Sequence, residues 1–219
     1  MRIVIAGGHG KIALLLAEQL TGRGHSVISL IRNPAHAREV YATGAESVVL
    51  DLENALVSDL AATVQGADAV VFAAGAGPGS GTARKYSVDR DGSVLLAEAT
   101  ERVGTRRFLQ ISAMGTGLPP GPGTDEVWAA YIEAKTQAED DLRSRDLDWT
   151  ILRPGRLTDS AGTGLVTLAD HRLERGEIPR ADVAAVLTEL LGAPETAGRT
   201  LELVSGTTPI RAAIAALGA

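Results

Sequence analysis

The chain has no cysteine among its 219 residues. Disulfides, thiolate nucleophiles and thiolate metal ligands are therefore excluded together. Aromatic residues make up only 3% of the chain, so the core is aliphatic and base-stacking recognition of single-stranded nucleic acid is disfavoured. The four histidines, His9, His25, His36 and His171, fall at no metal-ligand spacing, and no metal is expected. The net charge is −6 without any Lys/Arg block, which argues against a phosphate-backbone footprint. No run approaches the ~20 apolar residues that span a bilayer. The apolar run after Met1-Arg2, Ile3 to Ala6, is too short for a signal peptide and carries no cleavage signature. The expectation is a soluble, cytoplasmic protein that engages neither nucleic acid nor membrane.

What is present is ordinary globular material, 45% hydrophobic and 22% charged, enough for one sizeable core. Strand and helix patterns alternate. Ile3 to Ala6 reads as a buried parallel strand, and Ile12 to Leu20 as a helix closing near Gly22 and Gly24. Strands follow at Val27 to Ile31, Ser47 to Leu50, Ala69 to Ala73, Arg107 to Ile111 and Trp149 to Leu152. The helices between them are Pro34 to Thr43, Leu56 to Val64, Val88 to Val103 and Asp125 to Arg145. Gly117 to Gly123 is loop, and regular alternation weakens from Leu157 to Pro179. A helix at Val183 to Leu191, a strand at Leu201 to Val204 and a helix at Ile210 to Leu217 close the chain. Five strand-helix units in a row specify an α/β doubly wound parallel sheet. The chain reads as a single domain over 1–219, with 155–179 as a small substrate-region insertion. The ligand pocket belongs at the carboxyl ends of the strands.

The first turn reads Gly7-Gly8-His9-Gly10-Lys11-Ile12-Ala13, between a strand and a helix. Absent side chains let a pyrophosphate approach the backbone, and the helix N-terminus offers free N–H groups. A dinucleotide site follows. NAD sites place an acid about 20 residues on, at the end of the second strand, for the ribose 2′-OH. Here that strand ends in Arg32, a cation suited to a 2′-phosphate, with Lys11 adding charge nearby. NADP is therefore the expected cofactor and NAD the second choice, unless Arg32 is merely a solvated arginine. Asp51-Leu52 is expected against the adenine, with a helix cap as the equal alternative for Asp51. Ala73, Ala74 and Gly75 are small enough for the backbone to approach a ribose or nicotinamide.

Tyr131 and Lys135 stand four apart in a helical stretch, on one face with Cβ atoms ~6 Å apart. The ammonium is expected to lower the tyrosine pKa and fit the phenol for acid-base work on a carbonyl receiving hydride. Ser112 closes the fifth strand at the same sheet edge, placed to hydrogen-bond the same oxygen. Trp128 lies one turn before Tyr131, with pocket wall and plain packing equally open, while Trp149 reads as core. Arg156 meets either an anionic substrate or, preferentially, solvent. Asp182 reads as a charge favoured at a helix start. Glu139-Asp140-Asp141 reads as a solvated helix face, and His9 as a cofactor contact or a turn filler.

With these residues in place, the sequence resembles the short-chain dehydrogenase/reductase superfamily, in its small atypical, epimerase-like branch of NAD(P)-binding proteins. The likeness rests on Gly7, Gly10, Ala13, Arg32, Asp51-Leu52, Ala73-Ala74-Gly75, Ser112, Tyr131 with Lys135, and Arg153-Pro154-Gly155. It implies a Rossmann fold and a catalytic set of Ser112, Tyr131 and Lys135. It also implies that Lys135 holds the nicotinamide ribose and that the segment around Pro154, Gly155 and Leu157 packs beside the nicotinamide. The expected activity is NADP(H)-dependent hydride transfer to or from a small carbonyl or related acceptor, by a monomer or homodimer. The alternatives are a flavin/quinone-type reductase, a non-catalytic NADP(H)-sensing regulator, and a nucleotide-sugar epimerase or dehydratase. The chain is shorter than the sugar-nucleotide epimerases and lacks most of their C-terminal substrate domain.

Overall fold

The computed structural model describes residues 1–218. Six strands come first: β1 (Arg2–Ala6), β2 (Ser26–Ile31), β3 (Glu46–Val49), β4 (Ala69–Phe72), β5 (Arg107–Ile111) and β6 (Asp148–Pro154). They pair in parallel in the order β3-β2-β1-β4-β5-β6, the doubly wound arrangement. Strand β1 shows why. Ile3, Val4, Ile5 and Ala6 are all fully buried, because both faces of a parallel sheet are covered. The twofold period of a strand sends Ile3 and Ile5 into one aliphatic layer and Val4 and Ala6 into the other.

The layer under Ile3 and Ile5 is closed by α1 (Lys11–Gly22) and α7 (Arg180–Leu191). The layer under Val4 and Ala6 is closed by α3 (Val57–Val64), α5 (Gly92–Arg102) and α6 (Glu126–Arg143), and Trp149 packs there as expected. Pro34 to Thr43 is a 3₁₀ turn followed by α2 (Ala37–Ala42). The helix expected from Val88 begins earlier, as α4 (Thr82–Arg84) and a π-helical turn (Lys85–Asp91) that runs into α5. Such turns widen a helix by one residue and cluster at functional sites.

The stretch from Leu157 to Pro179 is more ordered than its sequence implies. It contributes β7 (Arg156–Thr158), β8 (Leu165–Ala169) and β9 (Glu177–Pro179). Strands β7 and β9 form a separate parallel pair. Beyond them, β10 (Arg199–Ser205) pairs in parallel with β6, and β8 adds to β10 antiparallel, followed by β11 (Thr208–Pro209). Helix α8 (Ile210–Ala215) ends the chain. Strand β8 escapes recognition because exposed Leu165 and Thr167 flank buried Val166, a short mixed run with no continuous apolar signal.

Two acidic residues have duties their sequence context hides. Glu139 is fully buried rather than solvated, and accepts from Arg153 at 2.9 and 2.5 Å and from Arg143 at 2.5 Å. Asp182 lies in the first turn of α7, but its carboxylate also accepts from the N–H groups of Thr163 at 3.0 Å and Gly164 at 2.8 Å. It thereby anchors the loop before β8.

Candidate functional site

The cleft lies along the carboxyl ends of β1, β2, β4, β5 and β6. Gly7 has φ +77°, and a Cβ there would come within 2.5 Å of Ala74 Cα. A Cβ on Gly8 would meet the Ser29 Cβ at 2.4 Å. Both positions thus require glycine for the β1–α1 turn to lie against β2 and the segment after β4. Gly10 caps α1 with no side-chain hydrogen bond, so the orphan N–H groups of the first helical turn are left for an anion. This cradle fits a pyrophosphate.

On one side of the turn is a chamber of about 350 Å³, lined by Gly7, His9, Gly10, Arg32, Asp51, Leu52 and Ala73 to Gly75. The His9 ring stacks on His36 with centroids 3.6 Å apart. Arg32 reaches this wall and donates to Glu53 at 3.1 Å. Glu53 also accepts from Arg84 at 2.6 Å and Ser87 at 2.6 Å, and the Arg84 hydrogen bond holds its carboxyl below the usual range. Two guanidinium groups therefore converge on this chamber with one carboxylate between them. Lys11 does not join them. It lies outside the chamber wall, paired with Asp159 at 2.5 Å. The Asp51 carboxylate closes its own turn, accepting from the Glu53 N–H at 3.2 Å and the Asn54 amide at 2.8 Å. Asp51 therefore caps no helix: it closes a turn before α3, whose N-cap is Leu56, so the helix-cap alternative does not hold.

Past Ala73 to Gly75, which line both spaces, opens a larger chamber of about 1020 Å³. Ser112, Tyr131 and Lys135 all line it, with Ile12, Pro154 and Gly155. Ser112 is buried, its Oγ 3.3 Å from Thr116 Oγ1. Thr116 spends its own proton on the Ala113 carbonyl, so Ser112 is the donor of that long bond and keeps its lone pairs. Lys135 donates to the Ile111 carbonyl at 3.1 Å and faces Asp89 at 3.3 Å. Asp89, on the π-helical turn, is 1% exposed and also accepts from the Ala76 N–H at 3.0 Å.

Asp89 changes the electrostatics expected of the Tyr131–Lys135 pair. Lys135 lies 5.8 Å from the Tyr131 ring centroid, but its charge is matched by Asp89. Burial of the phenol, reinforced by the Asp89 charge, pushes the Tyr131 pKa upward rather than down. The phenol is thereby held in its protonated form. Trp128 lines the same chamber with its ring 5.3 Å from that of Tyr131. Gly155 is needed where the chain crosses Gly176: a Cβ there would lie 2.3 Å from the Gly176 carbonyl. Arg156 is exposed and pairs with Glu177.

Sequence reasoning missed Glu53, Arg84 and Asp89. Arg84 and Asp89 carry no motif of their own, and only the folding of α4 and the π-helical turn after it brings them to the cleft. Glu53 follows Asp51-Leu52 directly, and that adjacency was the available signal.

A doubly wound sheet whose switch point carries a glycine cradle between two joined chambers defines a Rossmann-type nicotinamide-nucleotide-binding protein. The chain belongs to the NAD(P)H-binding family, whose profile matches residues 7–194, and this is an oxidoreductase-like family. The chain is 34% identical over 215 residues to YhfK of Bacillus subtilis, an uncharacterized sugar epimerase, covering 98% of this chain and 99% of that one. A solved structure from Bacillus halodurans, provisionally named as an NAD-dependent epimerase/dehydratase, has a TM-score of 0.91 at 35% identity, covering 99% of both chains. The oxidoreductase ylbE of Lactococcus lactis has a TM-score of 0.85 at 26% identity, covering 99% of this chain and 96% of that one. Among the described residues no helix is long and apolar enough to cross a membrane.

Proposed function

We propose that this protein is an NADP(H)-dependent oxidoreductase that reduces a small carbonyl or related acceptor, with Tyr131 as proton donor. The observation that carries this reading is the convergence of Ser112, Tyr131 and Lys135 on one chamber continuous with the nucleotide cleft. The Lactococcus oxidoreductase, close in fold over nearly the whole chain, supports the same class. Gly7, Gly8 and Gly10 would hold the pyrophosphate. Leu52 and the Asp51 turn would lie against the adenine, and Lys135, Pro154 and Gly155 beside the nicotinamide ribose. The cofactor, when bound, supplies hydride to the acceptor carbon. Tyr131 gives its phenolic proton to the acceptor oxygen, Ser112 turns its hydroxyl from the long 3.3 Å contact with Thr116 to donate to that oxygen, and Lys135 fixes the floor of the chamber through Ile111 and Asp89. Segment 155–179 closes the chamber as part of a single domain that acts in the cytoplasm as a monomer or homodimer.

The test is NADPH consumption against a broad set of aldehydes, ketones and quinones. Tight NADP(H) binding with no oxidation across that set would overturn the enzyme reading in favour of a nucleotide sensor. The preference for the phosphorylated cofactor rests on Arg32 and Arg84. Arg32→Ala is expected to weaken NADPH by about 10-fold or more, the worth of one charged hydrogen bond, and to leave NADH unchanged. Dissociation constants by titration check this, and a wild-type preference for NADH would reverse it.

A further inference from the structure

Lys85, on the π-helical turn, takes no part in the reaction just described, yet it lines the large chamber. Its residue is only 8% exposed. Its Nζ donates to the Gly77 carbonyl at 2.9 Å and stands 5.5 Å from the Tyr131 ring centroid. An ammonium has three donors, and one is used. No carboxylate lies within ion-pair distance of Lys85 among the described residues. Three of the other wall cations are paired, Lys135 with Asp89, Arg156 with Glu177 and Arg180 with Asp159, and the fourth, Arg175, is exposed to solvent rather than buried. The remaining wall acid, Asp125, caps α6 through the Trp128 N–H. A largely buried cation without a counter-charge is unfavourable unless something supplies one. In a chain of net charge −6, an uncompensated ammonium beside the proton donor is a directed feature.

We propose that Lys85 is an anion anchor in the substrate chamber, and that the natural acceptor carries a carboxylate or equivalent oxyanion close to the group that Tyr131 protonates. The proposal rests on the reductase reading for the role of Tyr131, but not for the existence of the anion site. The pyrophosphate of the cofactor is a poor alternative occupant, because its cradle at Gly7 to Gly10 faces the smaller chamber, whose wall does not include Lys85. Lys85 would set orientation: with the carboxylate held there, the carbonyl has one way to present its oxygen to Tyr131.

The experiment compares benzoate and benzamide, nearly equal in shape and differing in charge, as ligands of the full chain saturated with NADP⁺. Binding is read by calorimetry or ligand-observed NMR, without turnover. Wild type is expected to bind benzoate at least about tenfold more tightly than benzamide. Lys85→Met is expected to erase that difference while the NADP⁺ dissociation constant stays within about twofold, and Lys85→Arg is expected to retain it. Equal binding of the two probes by wild type overturns the proposal without any variant having to fold. So does a benzoate preference that survives in Lys85→Met, or one removed by Arg175→Gln at the exposed rim instead. A Lys85→Met variant that loses NADP⁺ in step with benzoate makes Lys85 a cofactor ligand and also overturns it. A positive benzoate result beside an absence of NADPH oxidation would instead fail the reductase reading alone.

Discussion

Replacing Tyr131 with Phe is expected to lower kcat/KM for carbonyl reduction by about 10²- to 10⁴-fold, the usual worth of a positioned proton donor, while the NADPH dissociation constant stays nearly unchanged. The residue lines the larger chamber and not the smaller one, so its loss should be felt in turnover rather than in binding of the adenosine end. The upward push on its pKa sets the sign of the pH dependence. A phenol that stays protonated well past neutrality keeps its donor form populated, although it is the weaker acid for that shift, and leaves the accepting phenolate scarce. Reduction should therefore run on a flat profile from about pH 6 to 9 and fall only where the phenol ionises. The reverse reaction, which needs the phenolate, should be weak at neutral pH and climb with pH. Profiles in both directions for wild type, and single-turnover rates for the Phe variant, check this. Unchanged turnover in Tyr131→Phe would remove the tyrosine from the chemistry.

The features legible in the sequence are those written in local pattern. Strand β1 reads as buried because four consecutive apolar residues precede the glycines. Gly7 to Gly10 reads as a phosphate turn because its glycines fall between a buried strand and a helix, and Gly7 and Gly8 are positions where a Cβ would clash. Ser112, Tyr131 and Lys135 can be placed together because a strand end and a helix face are both periodic objects. What stayed hidden is non-local. Lys11 looks like a cofactor cation until folding brings Asp159, 148 positions away, within 2.5 Å. Glu139 looks like one of three solvated acids until Arg153 arrives from β6 to bury it. Strand β8 is invisible because its partner is β10, which comes later in the chain. The sense of the tyrosine pKa shift is hidden too, since the Tyr–Lys pair alone favours the phenolate, whereas burial of the phenol, reinforced by the charge of a third residue on another helix, reverses that.

That third residue carries the last expectation. Asp89→Ala should destabilise the protein by about 3–5 kcal/mol, the cost of leaving a buried charge without its partner. The ammonium of Lys135 would lose its carboxylate partner, and the Ala76 N–H would lose its acceptor. Asp89→Asn separates charge from shape. Its amide oxygen can still accept from Ala76, so denaturant unfolding should show a smaller loss than for Ala. The charge, however, is gone, and Asp89 is the Coulombic contributor that acts with burial to raise Tyr131. With Lys135 uncompensated beside the ring, the phenolate is favoured. The decline of reduction at alkaline pH should then begin at lower pH in the Asn variant than in wild type, and the oxidative direction should gain at neutral pH. An Asn variant with wild-type pH profiles would mean that the Asp89–Lys135 pair only holds the segment at Ala76 in place. A shifted profile with a modest stability loss would mean that the pH range over which this site works is set by a carboxylate outside the Tyr–Lys motif.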